Sequence, residues 1–221
     1  QEWICDGTSE LMKLDRFVEK VLRPGIIILG SAPLVVLIFR LVNDQLGANP
    51  PEALEHATGF AALWFLLASL SCTPLRKLTS RAALTRLRKP LGLWAFSYAL
   101  IHLCCYLVFD QSLLFAEIGY DIVKRPYITV GFAGFLILLA LAVTSPNAVA
   151  RRLGGRRWKS LHRLAYLAAA LGVLHFLWLV KLDVTRPVTA AIFLVAVLLL
   201  RLPQVTGRAA AAPARPLGSK A

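Results

Sequence analysis

Six long apolar stretches divide this chain, and no other feature of the sequence constrains its fold so strongly. They lie at roughly 25–42, 58–73, 91–109, 127–144, 161–180 and 187–202. The breakers between them are Asn49 to Pro51, Pro74, Pro90, Pro126, Pro146 and Pro187. A mostly apolar stretch of about 17 to 25 residues can cross a bilayer, and irregular backbone cannot face lipid. The sequence therefore predicts an all-α fold, an integral membrane bundle of six transmembrane helices.

Composition excludes the main soluble alternatives. Of the 221 residues, 57% are hydrophobic and only 17% are charged, which leaves too little polar surface for a soluble domain of this size. The net charge of +13 comes from short basic clusters between apolar runs, without the aromatic interleaving typical of a nucleic-acid groove. We therefore expect no nucleic-acid partner.

The distribution of lysine and arginine predicts the orientation. The loop at 74–90 holds six of them and the loop at 145–160 holds five, whereas the connection at 43–57 holds none. The connections at 110–126 and 181–187 hold two each. Because cytoplasmic loops retain positive charge, the two basic loops and both termini are expected on the cytoplasmic side.

This topology gives three regions. Residues 1–24 are predicted to be an N-terminal cytoplasmic tail, 25–202 the six-helix domain, and 203–221 a disordered basic C-terminal tail that contacts anionic lipid.

The four cysteines show no C-x-x-C spacing, so zinc binding and covalent heme attachment are not indicated.

Three of the four histidines, His102, His162 and His175, fall inside or at the edge of predicted helices. Ionisable residues within a bilayer usually mark ion paths, proton relays or cofactor sites, and a neutral imidazole is a good axial ligand for heme iron. At 1.5 Å per residue, His102 lies about 16 Å and His175 about 21 Å into helices that run outward. They share a level in the outer half, which predicts a bis-histidine heme. His56 lies at an outer helix end, where a histidine in contact with the membrane interface is unremarkable, so no function is assigned to it.

His162 lies at the cytoplasmic mouth of its helix, and Arg88 is the best placed partner for it. Arg88 precedes His102 by 14 residues, about 21 Å along a continuing helix and within about 40° of the same face. An arginine stays protonated, so pairing with heme propionates is its ordinary role. His162 and His175 lie about 140° apart on an ideal helix, which a tilted or bent helix has to reconcile.

Two other interpretations remain open. The histidines are also compatible with hydrogen-bonding between helices, or with a proton relay in a transporter. The apparent absence of aspartate and glutamate within the predicted spans argues against the relay.

Several segments resemble a known family. They are LGLWAFSYALIH at 91–102, KRPYITVG at 124–131, WKSLHRLAYLAAALGVLHFLWLVK at 158–181, LGANPPEALEHATG at 46–59 and AVTSPNA at 142–148. These resemble the MsrQ (YedZ) family, heme-binding membrane subunits within the ferric reductase-like transmembrane group. The resemblance runs from about residue 25 to 202 and covers neither tail.

The resemblance implies a function. The family's heme ligands fall on His102, His162 and His175, and an arginine implicated at the inner heme falls on Arg88. It implies one or two b-type hemes in the bacterial inner membrane. Electrons would come from the quinone pool or a cytoplasmic flavin reductase and pass to MsrP, a periplasmic molybdopterin enzyme that repairs oxidised methionine.

Family members are also described with FMN, but the chain has no phosphate-cradling glycine loop to assign to it. A stand-alone transmembrane ferric or quinone reductase on the same scaffold remains an alternative.

Overall fold

The computed structural model describes residues 16–180 and 182–201, and regular structure in these residues is entirely helical. The α-helices are α1 (Arg23–Leu29), α2 (Ala32–Val42), α3 (Pro50–Thr79), α4 (Arg88–Cys105), α5 (Phe115–Lys124), α6 (Pro126–Val143), α7 (Asn147–Leu153), α8 (Gly155–Leu161), α9 (Leu164–Leu179) and α10 (Thr185–Leu199). Short π-helical segments, Val18–Leu22 and Tyr106–Asp110, lie before α1 and after α4, and a 3₁₀ helix, Ala82–Leu87, leads into α4.

Five helical segments of the described residues are long and apolar enough to cross a membrane. They are Lys20–Val42, Pro50–Thr79, Ala82–Asp110, Pro126–Val143 and Gly155–Leu179. The all-α, multi-pass membrane character is thus confirmed. The sixth apolar helix, α10, has 15 residues and extends only about 22 Å, so a sixth complete span stays a prediction.

The predicted tails lie largely outside the described residues, which exclude 1–15 and 202–221. Helix begins earlier than the predicted boundary at residue 25, because the π-helical segment Val18–Leu22 already belongs to the first apolar helix. Lys20 and Arg23 do not prevent this, since long basic side chains reach the membrane surface from helix ends.

The central helix of the bundle is α3. In its most apolar window 56% of the residues are buried, against 17% or fewer in the other spans. It packs mainly on α4 and also on α9 and α10. The core consists of four leucines of α3 with small residues of the facing helices: Leu63, Leu66, Leu67, Leu70, Ala95, Ala168, Ala169, Val173, Ala190, Leu194 and Val197. Small residues allow helix backbones to approach closely where lipid supplies no hydrophobic drive.

The predicted break at Pro74 is wrong, because α3 continues through it to Thr79. Proline has no backbone N–H, so the carbonyl of Leu70, four residues earlier, loses its helical donor. Arg201 replaces that donor: its Nη2 donates to the Leu70 oxygen at 2.6 Å, and its guanidinium lies over the Tyr166 ring, 4.8 Å from the centroid. A distant cation thus supports the helix where proline weakens it.

The first apolar helix is interrupted at Gly30 and Ser31, which separate α1 from α2. The hydroxyl of fully buried Tyr98 enters the interruption, where it donates to the Gly30 oxygen at 2.7 Å and accepts from the Leu34 N–H at 3.1 Å. A side chain inserted into the hydrogen-bond ladder is a known cause of helix bending. The interruption therefore ties the first apolar helix to α4.

Candidate functional site

His102 of α4 and His175 of α9 face each other across a cavity of about 270 Å³. Their ring centres lie 6.1 Å apart, with the ring planes at 75°. An imidazole nitrogen binds a metal ion at about 2 Å and lies about 1 Å from its ring centre, so two histidines on opposite sides of one ion have centres about 6 Å apart. The separation therefore suits two axial ligands of one metal.

Backbone carbonyls fix the tautomer of both rings. His102 Nδ1 lies 2.9 Å from the Glu55 oxygen, and His175 Nδ1 lies 2.7 Å from the Tyr127 oxygen. A carbonyl only accepts, so each Nδ1 must carry the proton and donate. Each Nε2 then keeps its lone pair for a metal, an arrangement that is usual for ligating histidines.

Two glycines make room for these rings. A Cβ at Gly59 would lie 3.1 Å from His102 Nδ1, and a Cβ at Gly131 would lie 2.7 Å from His175 Nδ1. The second distance is too short for any side chain unless the ring moves. Each imidazole is thus packed against the bare backbone of the helix that also supplies its carbonyl partner.

The cavity between His102 and His175, here called the outer cavity after the predicted orientation, also contains carboxylates, which corrects the expectation that no aspartate or glutamate lies within the spans. Glu55 and Asp110 both line it. Glu55 belongs to a span because α3 begins at Pro50, earlier than the predicted residue 58. Proline at the first helical position and the Asn49 side chain, which accepts from the Glu52 N–H, explain this early start.

His162 and Arg88 line a second cavity, of about 520 Å³. The His162 ring stacks on Trp158 at 4.0 Å, and the Trp158 indole N–H donates to the Thr144 oxygen at 3.0 Å. Lys89, Lys159 and Arg163 also line this cavity, and none of its lining residues in the described part of the chain is acidic. A cation-rich cavity of this kind suits an anionic ligand.

The conflict between the faces of His162 and His175 is resolved by a turn. Helix α8 ends at Leu161 and α9 begins at Leu164, so His162 stands at an interruption and not on one ideal helix with His175. Arg88 and His102, in contrast, do lie on the single helix α4.

Leu66 and Leu138 line both cavities. The outer and inner cavities are therefore separated in part by single aliphatic side chains. The structure thus brings the four predicted residues together in two pairs, His102 with His175 and His162 with Arg88, on either side of this partition.

Sequence reasoning missed several residues of the outer cavity. Arg125 and Tyr127 lie within the KRPYITVG segment, where a charged and an aromatic side chain stand together at the start of an apolar run, and this was an available signal. His56, interpreted as an interfacial residue, also lines the cavity. The role of Gly59 had no local signal, because it depends on a ring from another helix.

The fold and the paired histidines define a class, a helical membrane domain with two histidines facing each other between its spans. In agreement, the family described as "Ferric reductase like transmembrane component" matches residues 58–173. Three curated relatives are each named "Protein-methionine-sulfoxide reductase heme-binding subunit MsrQ".

The relative from Rhodospirillum rubrum is 45% identical over 196 residues, 89% of this chain and 92% of its own length. That from Herminiimonas arsenicoxydans is 47% identical over 163 residues, 73% of this chain and 75% of its own. That from Xanthomonas oryzae pv. oryzae is 51% identical over 145 residues, 66% of each chain. The chain belongs to the MsrQ family.

Proposed function

We propose that this chain is the heme-binding membrane subunit of a protein-methionine-sulfoxide reductase system and carries electrons across a bacterial inner membrane. The observation that carries the proposal is the His102–His175 pair, with ring centres 6.1 Å apart and both Nδ1 atoms hydrogen-bonded to carbonyls. The printed names of the relatives support the choice of heme as the bound group and of a methionine sulfoxide reductase as the system.

In this proposal His102 and His175 would hold a b-type heme at the outer level. His162 would hold a second heme at the inner level, with Arg88 as the cation for its carboxylates. Bound heme supplies one-electron chemistry. The chain itself supplies imidazoles in a fixed tautomer, a mostly apolar lining, and positive charge at the inner level. FMN, expected only from the resemblance, stays a prediction.

The proposed topology has six spans with both termini in the cytoplasm. The basic loops support it, because the inner cavity contains Lys89 and Lys159 from these loops, whereas the outer cavity contains Glu55 and Asp110. On this orientation the inner cavity receives electrons from the quinone pool or a cytoplasmic flavin reductase. The outer cavity delivers them to a periplasmic partner, MsrP.

A reduced-minus-oxidised optical spectrum with pyridine hemochrome quantitation, on detergent-purified protein, tests the central claim. We expect a low-spin b-type spectrum with up to two hemes per chain. Protein made with ample heme supply but purified without heme would overturn the proposal.

Variants of the histidines test the assignment of ligands. His102→Ala and His175→Ala should each remove the same low-spin heme, because each deletes one of two axial ligands. His162→Ala should remove or change the spin state of the other heme. His56→Ala, which removes a histidine of the outer cavity that is not a proposed ligand, is the matched control and should leave heme content unchanged. Full heme content and an unaltered spectrum in His175→Ala would refute the outer pair.

A second candidate is a stand-alone ferric or quinone reductase, which the ferric reductase-like match favours. The two candidate functions differ in the molecule that accepts the electrons, so a test of acceptors distinguishes them. Chemically reduced protein should reoxidise rapidly with the periplasmic reductase and slowly with ferric chelates. Rapid reduction of ferric chelates with no reaction towards the periplasmic reductase would support the second candidate.

A further inference from the structure

Among the described residues, Arg125 is the one lysine or arginine that lines the outer cavity. Among its lining residues in the described ranges, the charged side chains other than histidine are Glu55, Asp110 and Arg125. Heme carries two propionate carboxylates, and a carboxylate near two acids and low-dielectric lipid is unstable unless a cation pairs with it. Arginine is the side chain best shaped for this, because its planar fork matches a carboxylate. Arg125 is therefore the natural counter-charge.

Arg125 forms an ion pair with a buried carboxylate, that of Asp121. Its Nε lies 3.2 Å from Asp121 Oδ1, and Asp121 is only 6% exposed. The other oxygen of Asp121 accepts from Gln111 Nε2 at 2.7 Å and from the Tyr106 hydroxyl at 3.4 Å. Two donors that precede α5 thus fix the acid, and the acid fixes the guanidinium.

One terminal nitrogen of the Arg125 guanidinium is available to bind an anion. Its Nη1 donates to the Tyr127 hydroxyl at 3.4 Å, and Nη2 has no hydrogen-bond partner among the described residues. The hydrogen bond to Tyr127, together with Asp121, raises the pKa of Arg125, which therefore stays charged at every physiological pH. Tyr127 also provides the carbonyl that orients His175. The start of α6 thus places a permanent cation and an axial ligand beside one cavity.

We propose that Arg125 is the anion-binding residue of the outer site and pairs with a propionate of the heme held there, with Asp121 as the positioning residue that holds its guanidinium. This assignment rests on the proposed function, because it needs heme at the outer level. It adds a heme-binding residue beyond the three histidines and Arg88.

The test is a spectroelectrochemical titration of the purified protein, with the outer heme identified as the component that His175→Ala removes. Loss of a nearby positive charge favours the ferric form, so Arg125→Gln should lower the outer midpoint potential. We expect about a tenfold change in the reduction equilibrium, which is 59 mV for one electron. Arg125→Lys keeps the charge and should restore most of the potential.

Lys124→Gln is the matched control. It removes the same charge from the adjacent position, but the Lys124 ammonium lies over the Tyr120 ring, 5.4 Å from its centroid, and does not line the cavity. We expect no more than a small shift. Asp121→Asn removes, at almost constant shape, the acid that holds the guanidinium, so its effect should depend on Arg125: the shift in potential should differ between the wild-type and the Arg125→Gln backgrounds.

The outcomes are distinguishable. Arg125→Gln and Lys124→Gln variants with full heme and equal outer potentials would overturn the assignment while leaving the proposed function intact. Equal shifts from Asp121→Asn in the wild-type and Arg125→Gln backgrounds would overturn the positioning role of Asp121, because the acid would then act independently of the guanidinium. Wild-type protein without heme at the outer level would overturn both proposals.

Discussion

The imidazole of His175 is confined on two sides, by the carbonyl of Tyr127 and by the backbone of Gly131. The first fixes which nitrogen carries the proton, and the second fixes where the ring lies. His102 repeats this arrangement with the carbonyl of Glu55 and with Gly59. Both rings are thus oriented before any metal binds, which lowers the entropy cost of ligation.

Gly131→Ala should therefore damage the outer site without touching a ligand. The new Cβ would lie 2.7 Å from His175 Nδ1, so the ring must move and its hydrogen bond to Tyr127 must lengthen. Loss of such an orienting contact typically weakens metal binding by about 10-fold to 100-fold. Heme content at limiting heme, with the low-spin spectrum, measures the effect.

Gly134→Ala, one turn further along the same helix, is the control. Its Cβ would meet Leu171 Cβ at an ordinary 3.6 Å. Equal heme loss in the two variants would show that small residues on α6 matter for packing and not for the orientation of His175.

Sequence reasoning at this scale found the histidines but not what orients them. The level shared by His102 and His175 follows from the constant rise of a helix, so it was predictable. The orienting groups are backbone atoms and an absent side chain on other helices, and such groups leave no local pattern in the sequence.

At the scale of elements, Pro74 shows how one helix depends on another. Helix α3 passes through this proline because Arg201, 131 residues from Leu70 along the chain, supplies the missing donor. The prediction of a break failed because it treated the loss of the N–H as a local property. The early start of α3, in contrast, agrees with its Asn49-Pro50 signal and was readable from the sequence.

A double-mutant cycle tests this support. Arg201→Ala should leave the Leu70 carbonyl without a donor and lower the free energy of unfolding by about 1 to 3 kcal/mol. In a Pro74→Ala background, residue 74 again has an N–H for that carbonyl, so the same replacement should cost clearly less. Unfolding in mixed detergent micelles provides the measurement, and equal costs in the two backgrounds would contradict the coupling.

Helix α5 was not predicted at all. The connection at 110–126 was interpreted as an external loop, yet Phe115–Lys124 forms a helix whose Ile118 and Ile122 line the outer cavity. Ten residues are too few to cross a membrane, so a search for spans does not find them. The buried Asp121 and its donors hold this helix over the cavity.

At the scale of the whole molecule, the spans enclose two cavities, one with the His102–His175 pair and one with His162 and Arg88. The multi-pass helical character and the order of the apolar helices were predictable, because hydropathy follows directly from the solvent. The faces of His162 and His175 predicted a tilt or bend between them, but its position at His162, and which helices pack on each other, depend on side-chain fit and were not predictable.

The orientation of the bundle is testable with two matched serines. Ser80 follows α3 in the predicted inner loop, and Ser112 lies in the predicted outer connection. Both are exposed and both have positive φ, at 56° and 46°. In a background with the four natural cysteines replaced by alanine, a membrane-impermeant maleimide added to spheroplasts should label Ser112→Cys at once and Ser80→Cys only after lysis. The reverse pattern would invert the proposed topology.

The thin partition of Leu66 and Leu138 has a consequence for the energetics of the cell. An electron can tunnel past an aliphatic side chain, but a hydrated proton needs a chain of donors and acceptors, and leucine provides none. For the proposed carrier, the carboxylates of the outer cavity and the cations of the inner cavity remain on opposite sides of this partition. Each electron that crosses without a proton then moves one negative charge out of the cytoplasm, so the transfer itself lowers an inside-negative membrane potential although protons do not leak through the partition.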